Sequence, residues 1–593
     1  MPLKFFRSAR RSDAAQPDRR PRQEVLVLCH GGDLVGLGVM QNTLAALGAA
    51  RIRYTVLDLA IRRALPAFDR YAALVICTSL LEGLGAEKSR AIEDWVVGGK
   101  GVFVAIRCWH SELGSLFGLP SRTKPPLVHS FGLDFRAELA PHVAGLHIDL
   151  DEWVFEHIRF VLDPTEPDLD CQIVLKDQNG AAIAWRRAFG QGRVVFWNSD
   201  VLQARVLRGI LLQGILDAMG TAAAAIAGFA TINIDDFPPS ISSATPEQIL
   251  REYPDLDESG FFFGPWLSDM LDLRSRHDLR YSWYCVMDYG ATRTGPPDDD
   301  AVKEGARILA MRFERAAPLP SDDEIGFHGY SHQIATDAGV SDPQSYREGL
   351  QLARRLWQDH VPVPMPTSWV PAGNQYHAVH AQMIATVIPE ITTVAGLHSI
   401  GAPDQGEYRE FGPEPWCEDL YCLPRNNFGY TLRPKQRILL LSQIAGSGAW
   451  THFLHPDDIL DEPRPGINPV HVRNPHRQMW QKTNAAGQQG LFREFEAFVE
   501  FVTTSFPWLR FVTNSEASTA LKRFDAAQVD LRVGPDAIEI NSEESSLFYL
   551  RVQTGESLSS AQGGRLVWKH AVVGGTLYVA DCPSGISVFK ISR

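Results

Sequence analysis

No stretch of this sequence is both long and apolar enough to cross a bilayer as a helix. The least polar run, Gly220 to Ile234, is alanine-rich and falls short of that length, so no transmembrane segment is expected. Cysteine is scarce: eight thiols, at positions 29, 77, 108, 171, 285, 417, 422 and 582, show no framework spacing. That excludes a disulfide-stapled fold and leads us to expect reduced thiols and a cytoplasmic protein. Positive charge is in deficit, with 57 Lys and Arg against 70 Asp and Glu and a formal net charge of -13. A general attraction to polyanions is thereby opposed, and nucleic acid is not expected as a partner. The basic residues that stand out (Lys4, Arg7, Arg10, Arg11, Arg19, Arg20 and Arg22) lie in residues 1–23, which lack the apolar core of a secretory signal and read as a disordered tail. Fixed-period repeats and long low-complexity tracts are also missing, which excludes solenoids and propellers.

What is present is ordinary globular composition, 45% hydrophobic and 21% charged, over 593 residues, enough for roughly three to four domains. Residues 24–220 alternate short apolar runs (VLVLC, YTVLDL, YAALVIC, VFVAI) with amphipathic segments, predicting a flavodoxin-like, doubly wound α/β sheet. Residues 221–525 repeat strand and helix with longer polar loops, compatible with a distorted β/α barrel whose chemistry sits at strand C-terminal ends. Residues 526–593 are almost purely strand-like, with glycine turns, predicting a small β-rich appendage that docks on the rest. The oligomeric state is not legible.

Two short segments carry the chemistry. In TINIDDFPPS, Asp235 and Asp236 follow an apolar run and precede two prolines. Taken alone, adjacent acids at a strand end serve to cap a turn. In DEIGFHGYSH, His328 and His332 are four apart, which on a helical turn would put both imidazoles on one side, a spacing a metal ion can bridge. On consecutive strand ends of one domain the two signals reinforce each other. A divalent ion held by one carboxylate and two imidazoles leaves positions open for water and a substrate oxygen, and the second Asp is free to act as general base.

NIDDFPP followed by EIGFHGYSH resembles the first two motifs of the polysaccharide deacetylases, the NodB-homology or carbohydrate esterase family 4 group. The resemblance spans about 300 residues. It implies Asp235 as catalytic base, Asp236, His328 and His332 as ligands of a divalent metal such as Zn2+, and removal of acetyl groups from N-acetylated hexosamine units of a glycan. The family's final leucine-histidine motif is matched by Leu454-His455, with His455 as general acid; His452 is a competitor for that role. Two departures stand out. The arginine of the third motif is absent at Trp369-Val370-Pro371, where Arg425 could substitute from another loop, and the glycine that usually follows the Asp pair is Phe237. The aromatic run Phe261, Phe262, Phe263 and Trp266 reads either as a sugar-stacking surface or as buried packing.

In the first part, WVVGGKGVFVAI, LFGL and GQGRVVFWNSD resemble the glutamine-amidotransferase-like superfamily in its ThuA-type branch. Active members carry a nucleophilic Cys in a glycine-flanked elbow. Cys108, in IRCWHSE beside His110 and Glu112, lacks that frame. Two alternatives to the deacetylase therefore stay open: an inactive carbohydrate-binding protein on the same barrel, and a thiol amidase using Cys108.

Overall fold

In the computed structural model the described residues are 21–593 except 62–63, 120–122, 151–154, 163–169, 243, 290–298, 316–318, 341, 362, 400–407 and 467–471. Most of the expected basic tail therefore lies outside the described residues.

The first sheet is built on β1 (Glu24–Cys29), β2 (Arg53–Asp58), β3 (Ala73–Ile76), β4 (Gly101–Val104) and β5 (Gly192–Trp197), all parallel, in the order β2-β1-β3-β4-β5. Strands β3 and β4 are buried along their whole length because helices cover both faces. These are α1 (Leu34–Ala49), α2 (Gly85–Val97) and α3 (Arg208–Met219). Beyond β5 the sheet turns antiparallel through Ala182–Phe189, Gln172–Lys176, Leu133–Phe135 and His147–Ile148.

The second sheet is a curled half-barrel. Its main strands are β6 (Phe229–Ile234), β7 (Tyr281–Cys285), β8 (Glu324–Phe327), β9 (Ser368–Trp369), β10 (Thr393–Val394), β11 (Cys417–Cys422), β12 (Asn427–Phe428) and β13 (Ala449–Leu454). They run parallel in the order β11-β10-β9-β8-β7-β6-β13-β12, with Gly412–Glu414 antiparallel on the far edge of β11. Among the described residues no ladder closes the ring. The covalent chain crosses the gap instead, residues 423–426 passing from β11 to β12.

Helices α4 (Leu267–Arg276), α5 (Asp299–Arg315), α6 (Pro343–His360), α7 (Ala378–Val387), α8 (Pro434–Ser447), α9 (Leu491–Ser505) and α10 (Asn514–Ala526) connect and flank these strands. Helix α3 is buried on nearly every side, since α8 packs on it so closely that a Cβ on Gly209 would lie 1.8 Å from Ser442 O. Only glycine permits that crossing.

The C-terminal strands form two four-stranded antiparallel sheets. One of them takes its edge strand from Ala222–Ile226, which pairs with Ser546–Gln553. The alanine-rich run is thus a strand wedged between units, its small side chains allowing close approach on each side. Ala225 N donates to Ala50 O at 2.9 Å, and Tyr549 Oη donates to Ile444 O at 2.8 Å. One contiguous cluster of buried apolar side chains runs from Val25 through Trp450 to Phe589, so the three parts share a core. Among the described residues no helix is long and apolar enough to cross a membrane.

Candidate metal and acid–base site

Strand register assembles the site. Ile234 on β6 lies opposite Leu454 on β13, and Asp235 N extends that ladder to Leu454 O at 3.0 Å. One step beyond the two strands, Asp235 and His455 therefore emerge side by side. Cys285 on β7, Phe327 on β8 and Trp369 on β9 are in register in the same way; His328 N bonds Cys285 O and Val370 N bonds Phe327 O, each at 2.9 Å. Residues in the family-like motifs thus lie one position past parallel strands, at the C-terminal mouth of the sheet.

Asp236, His328 and His332 converge. One ligand atom from each lies within 4.8 Å of the others. His328 Nε2 is 3.7 Å and His332 Nε2 3.5 Å from Asp236 Oδ1. They do not share a helix turn as the spacing suggested. His328 ends a strand, and the chain doubles back through Gly329 (φ 101°) and His332 (φ 55°), both left-handed. The rings meet at 76° with centroids 5.0 Å apart.

The donor set fits a divalent ion. Nδ1 of the buried His328 pairs with Val370 O at 2.8 Å, which makes Nδ1 the proton-bearing nitrogen and turns the Nε2 lone pair toward Asp236. Two imidazole nitrogens and a carboxylate oxygen suit zinc or a similar borderline cation. Tyr289, which the sequence did not single out, donates its hydroxyl to Asp236 Oδ1 at 2.9 Å.

Asp235 is 2% exposed and held by Arg425, whose Nη1 lies 2.6 Å from Oδ1 and 2.7 Å from Oδ2. Burial works against the carboxylate charge, but Arg425 leads the favourable charges that hold its pKa below the usual carboxylate range. Arg425 comes from the segment crossing between β11 and β12, its guanidinium 4.2 Å from the Phe453 ring centroid and Nη2 3.3 Å from Asn374 Oδ1. Arg425 thus pairs with Asp235 from another loop, as the sequence left open. Trp369 itself is buried against Tyr376, ring centroids 5.6 Å apart, and is a core residue.

His455 Nε2 lies 3.7 Å from Asp235 Oδ2, and its Nδ1 lies 3.2 Å from Asp458 Oδ1. Asp458 is in turn paired with Arg473 Nη1 at 2.7 Å. Burial disfavours the imidazolium, yet Asp458 outweighs it and the pKa of His455 is raised. His452 behaves oppositely. Fully buried, stacked on Phe495 and edge-on to Phe498, it has a pKa pushed down to about 3 by desolvation. It is a structural residue and does not share the role expected of His455.

Phe237 does not obstruct the mouth. It turns into the core, 4.6 Å from Trp283 and 5.8 Å from Trp266 between ring centroids. Phe261, Phe262 and Trp266 are buried in the same packing, so these three offer sugars no face. Cys108 is fully buried, and burial, then Asp33, drives its thiol pKa upward, the reverse of what a nucleophile needs. His110 Nδ1 accepts the Glu112 amide at 3.2 Å, a local turn contact.

Residues 146–579 match the family model described as "uncharacterised protein conserved in bacteria", DUF2194. The chain belongs to the DUF2194 family. No curated protein matches the sequence. Among solved structures, a ThuA-like protein from Parabacteroides merdae is 14% identical with a TM-score of 0.26, the match covering 34% of this chain and 90% of that one. A protein from Mycobacterium smegmatis described as a polysaccharide deacetylase is 12% identical with a TM-score of 0.28, covering 50% of this DUF2194 chain and 91% of its own. An exo-β-1,4-mannosidase from an Opitutaceae bacterium is 16% identical with a TM-score of 0.20, over 32% and 33% of the two chains.

Proposed function

We propose that this DUF2194 protein is a metal-dependent amide hydrolase that removes acetyl groups from N-acetylhexosamine units of a glycan or glycan precursor, releasing acetate. The observation that carries the reading is the meeting, at one strand-end mouth, of a two-imidazole, one-carboxylate donor set with a buried ionised Asp and a His of raised pKa. Asp236, His328 and His332 would hold the ion, Zn2+ by donor type. When bound it supplies Lewis acidity, polarising the acetamide carbonyl and easing deprotonation of the attacking water.

The chain's own groups do the rest. Asp235, kept ionised by Arg425, accepts one proton from water as the C–O bond forms. His455, whose hold on a proton Asp458 strengthens, gives one proton to the amide nitrogen as the C–N bond breaks, so the amine leaves neutral. The 3.7 Å gap between Asp235 and His455 lets the acquired proton return to the imidazole, and the cycle closes with no net proton held.

The test is acetate release from an N-acetylglucosamine oligomer by chelator-stripped protein, with and without Zn2+. Release is expected only with the ion, and Asp235→Asn or His455→Ala should each lower kcat by about 10²–10⁴ while leaving the metal bound. Metal-replete protein that binds the oligomer without releasing acetate would favour the non-catalytic binder instead.

A further inference from the structure

A second group of two imidazoles and a carboxylate gathers on the same rim, apart from the site above. Asp337 lies in the segment that follows His332, while His377 and His380 stand at the cap and in the first turn of α7. One ligand atom from each lies within 4.8 Å of the others. His377 Nδ1 is 3.3 Å from Asp337 Oδ1. The two backbones are already tied, since His377 N donates to Ala335 O at 2.7 Å and Ala335 forms a parallel bridge with Tyr376.

His380 is the telling residue. It is 1% exposed, and neither ring nitrogen has a hydrogen-bond partner among the described residues. Its described ring contacts are an edge-to-face approach to Tyr346 at 5.2 Å and the ring of His377 at 6.0 Å. Buried polar atoms are almost always satisfied, and two orphan nitrogens on one ring require a water or an ion. A residue serving only to fill space would have no nitrogens to satisfy.

We infer that Asp337, His377 and His380 bind a second divalent transition cation, of the zinc class. Nitrogen donors disfavour Ca2+ and Mg2+, which take oxygen ligands. The side chain of Asp337 is 79% exposed, so a cation has a path in from solvent and water can complete the coordination. The ion adds a clip between the segment carrying His332 and the start of α7, reinforcing the backbone bonds that already join them. This inference stands whether or not the hydrolase reading holds.

The test uses the full chain carrying Asp236→Ala and His332→Ala, stripped with chelator and titrated with Zn2+ by calorimetry and with Co2+ by visible absorption. One equivalent should still bind, and adding His377→Ala with His380→Ala should abolish it. Because removing a buried His can disturb folding, Asp337→Asn at an exposed position gives a second arm. It should weaken Zn2+ binding by more than the roughly 10–100-fold that loss of an outer-shell partner costs. No uptake by the Asp236→Ala/His332→Ala protein, or an Asp337→Asn protein that binds as tightly as its parent, would overturn the site.

Discussion

A single nitrogen, Arg425 Nη1, contacts both carboxylate oxygens of Asp235 in a pair whose two side chains are almost wholly buried. The two residues are 190 positions apart in the chain. Their pairing ties the segment that crosses from β11 to β12 to the C-terminal end of β6, and it holds the carboxyl of Asp235, next to Asp236, below the usual carboxylate range.

Removing that arginine should be costly. Arg425→Met leaves a buried carboxylate unpaired, and we expect a loss of about 3–5 kcal/mol in urea unfolding, with Asp235→Asn added to Arg425→Met recovering much of it. In Arg425→Met the carboxyl pKa rises, so the acid limb of the pH–rate profile moves to higher pH. A double variant no more stable than the single would show that the pair carries no such energy.

Asp458 sets the other limb. His455 must be protonated to act as the acid, so activity falls as pH rises through its raised pKa. Asp458→Asn removes the charge that raises it, and the alkaline limb should shift to lower pH with the acid limb unmoved. A profile that keeps its alkaline limb would remove His455 from the role of acid.

Tyr289 is expected to act on metal affinity. Its hydroxyl bonds the same Asp236 oxygen that faces both imidazoles. Tyr289→Phe should weaken Zn2+ binding by about 10–100-fold, the usual effect of losing an outer-shell partner, with little change in thermal stability. Zn2+ titration of the stripped variant measures this directly.

A glycine in place of Phe237 should harm the protein. Phe237→Gly empties a site lined by Trp266 and Trp283, and we expect about 3–5 kcal/mol of destabilisation from the lost aromatic side chain. Chemical denaturation is the measurement, and a stability equal to the parent's would mean the ring is not packed as described.

Cys108→Ala, in contrast, should leave acetate release intact. The thiol is fully buried with its pKa driven up. Loss of turnover with the fold preserved would bring the thiol amidase back.

The sequence by itself determined the parts of this protein that local pattern encodes. Short, mostly apolar runs give β1, β3 and β4, because strands covered on both faces are predominantly apolar. Asp235 and Asp236 could be picked from their position after such a run and His328 and His332 from their spacing, while His455 was legible only through the resemblance to the deacetylase motif. Tertiary structure alone decided what surrounds them. Arg425, Tyr289 and the Asp458–Arg473 pair reach the site from loops whose composition carries no periodic signal, and strand register and chain crossing bring them in. The turn between His328 and His332 rests on left-handed backbone that residue spacing does not reveal, and the alanine-rich run at 222–226 became the edge strand of a C-terminal sheet, where its small alanines allow close approach between packed units.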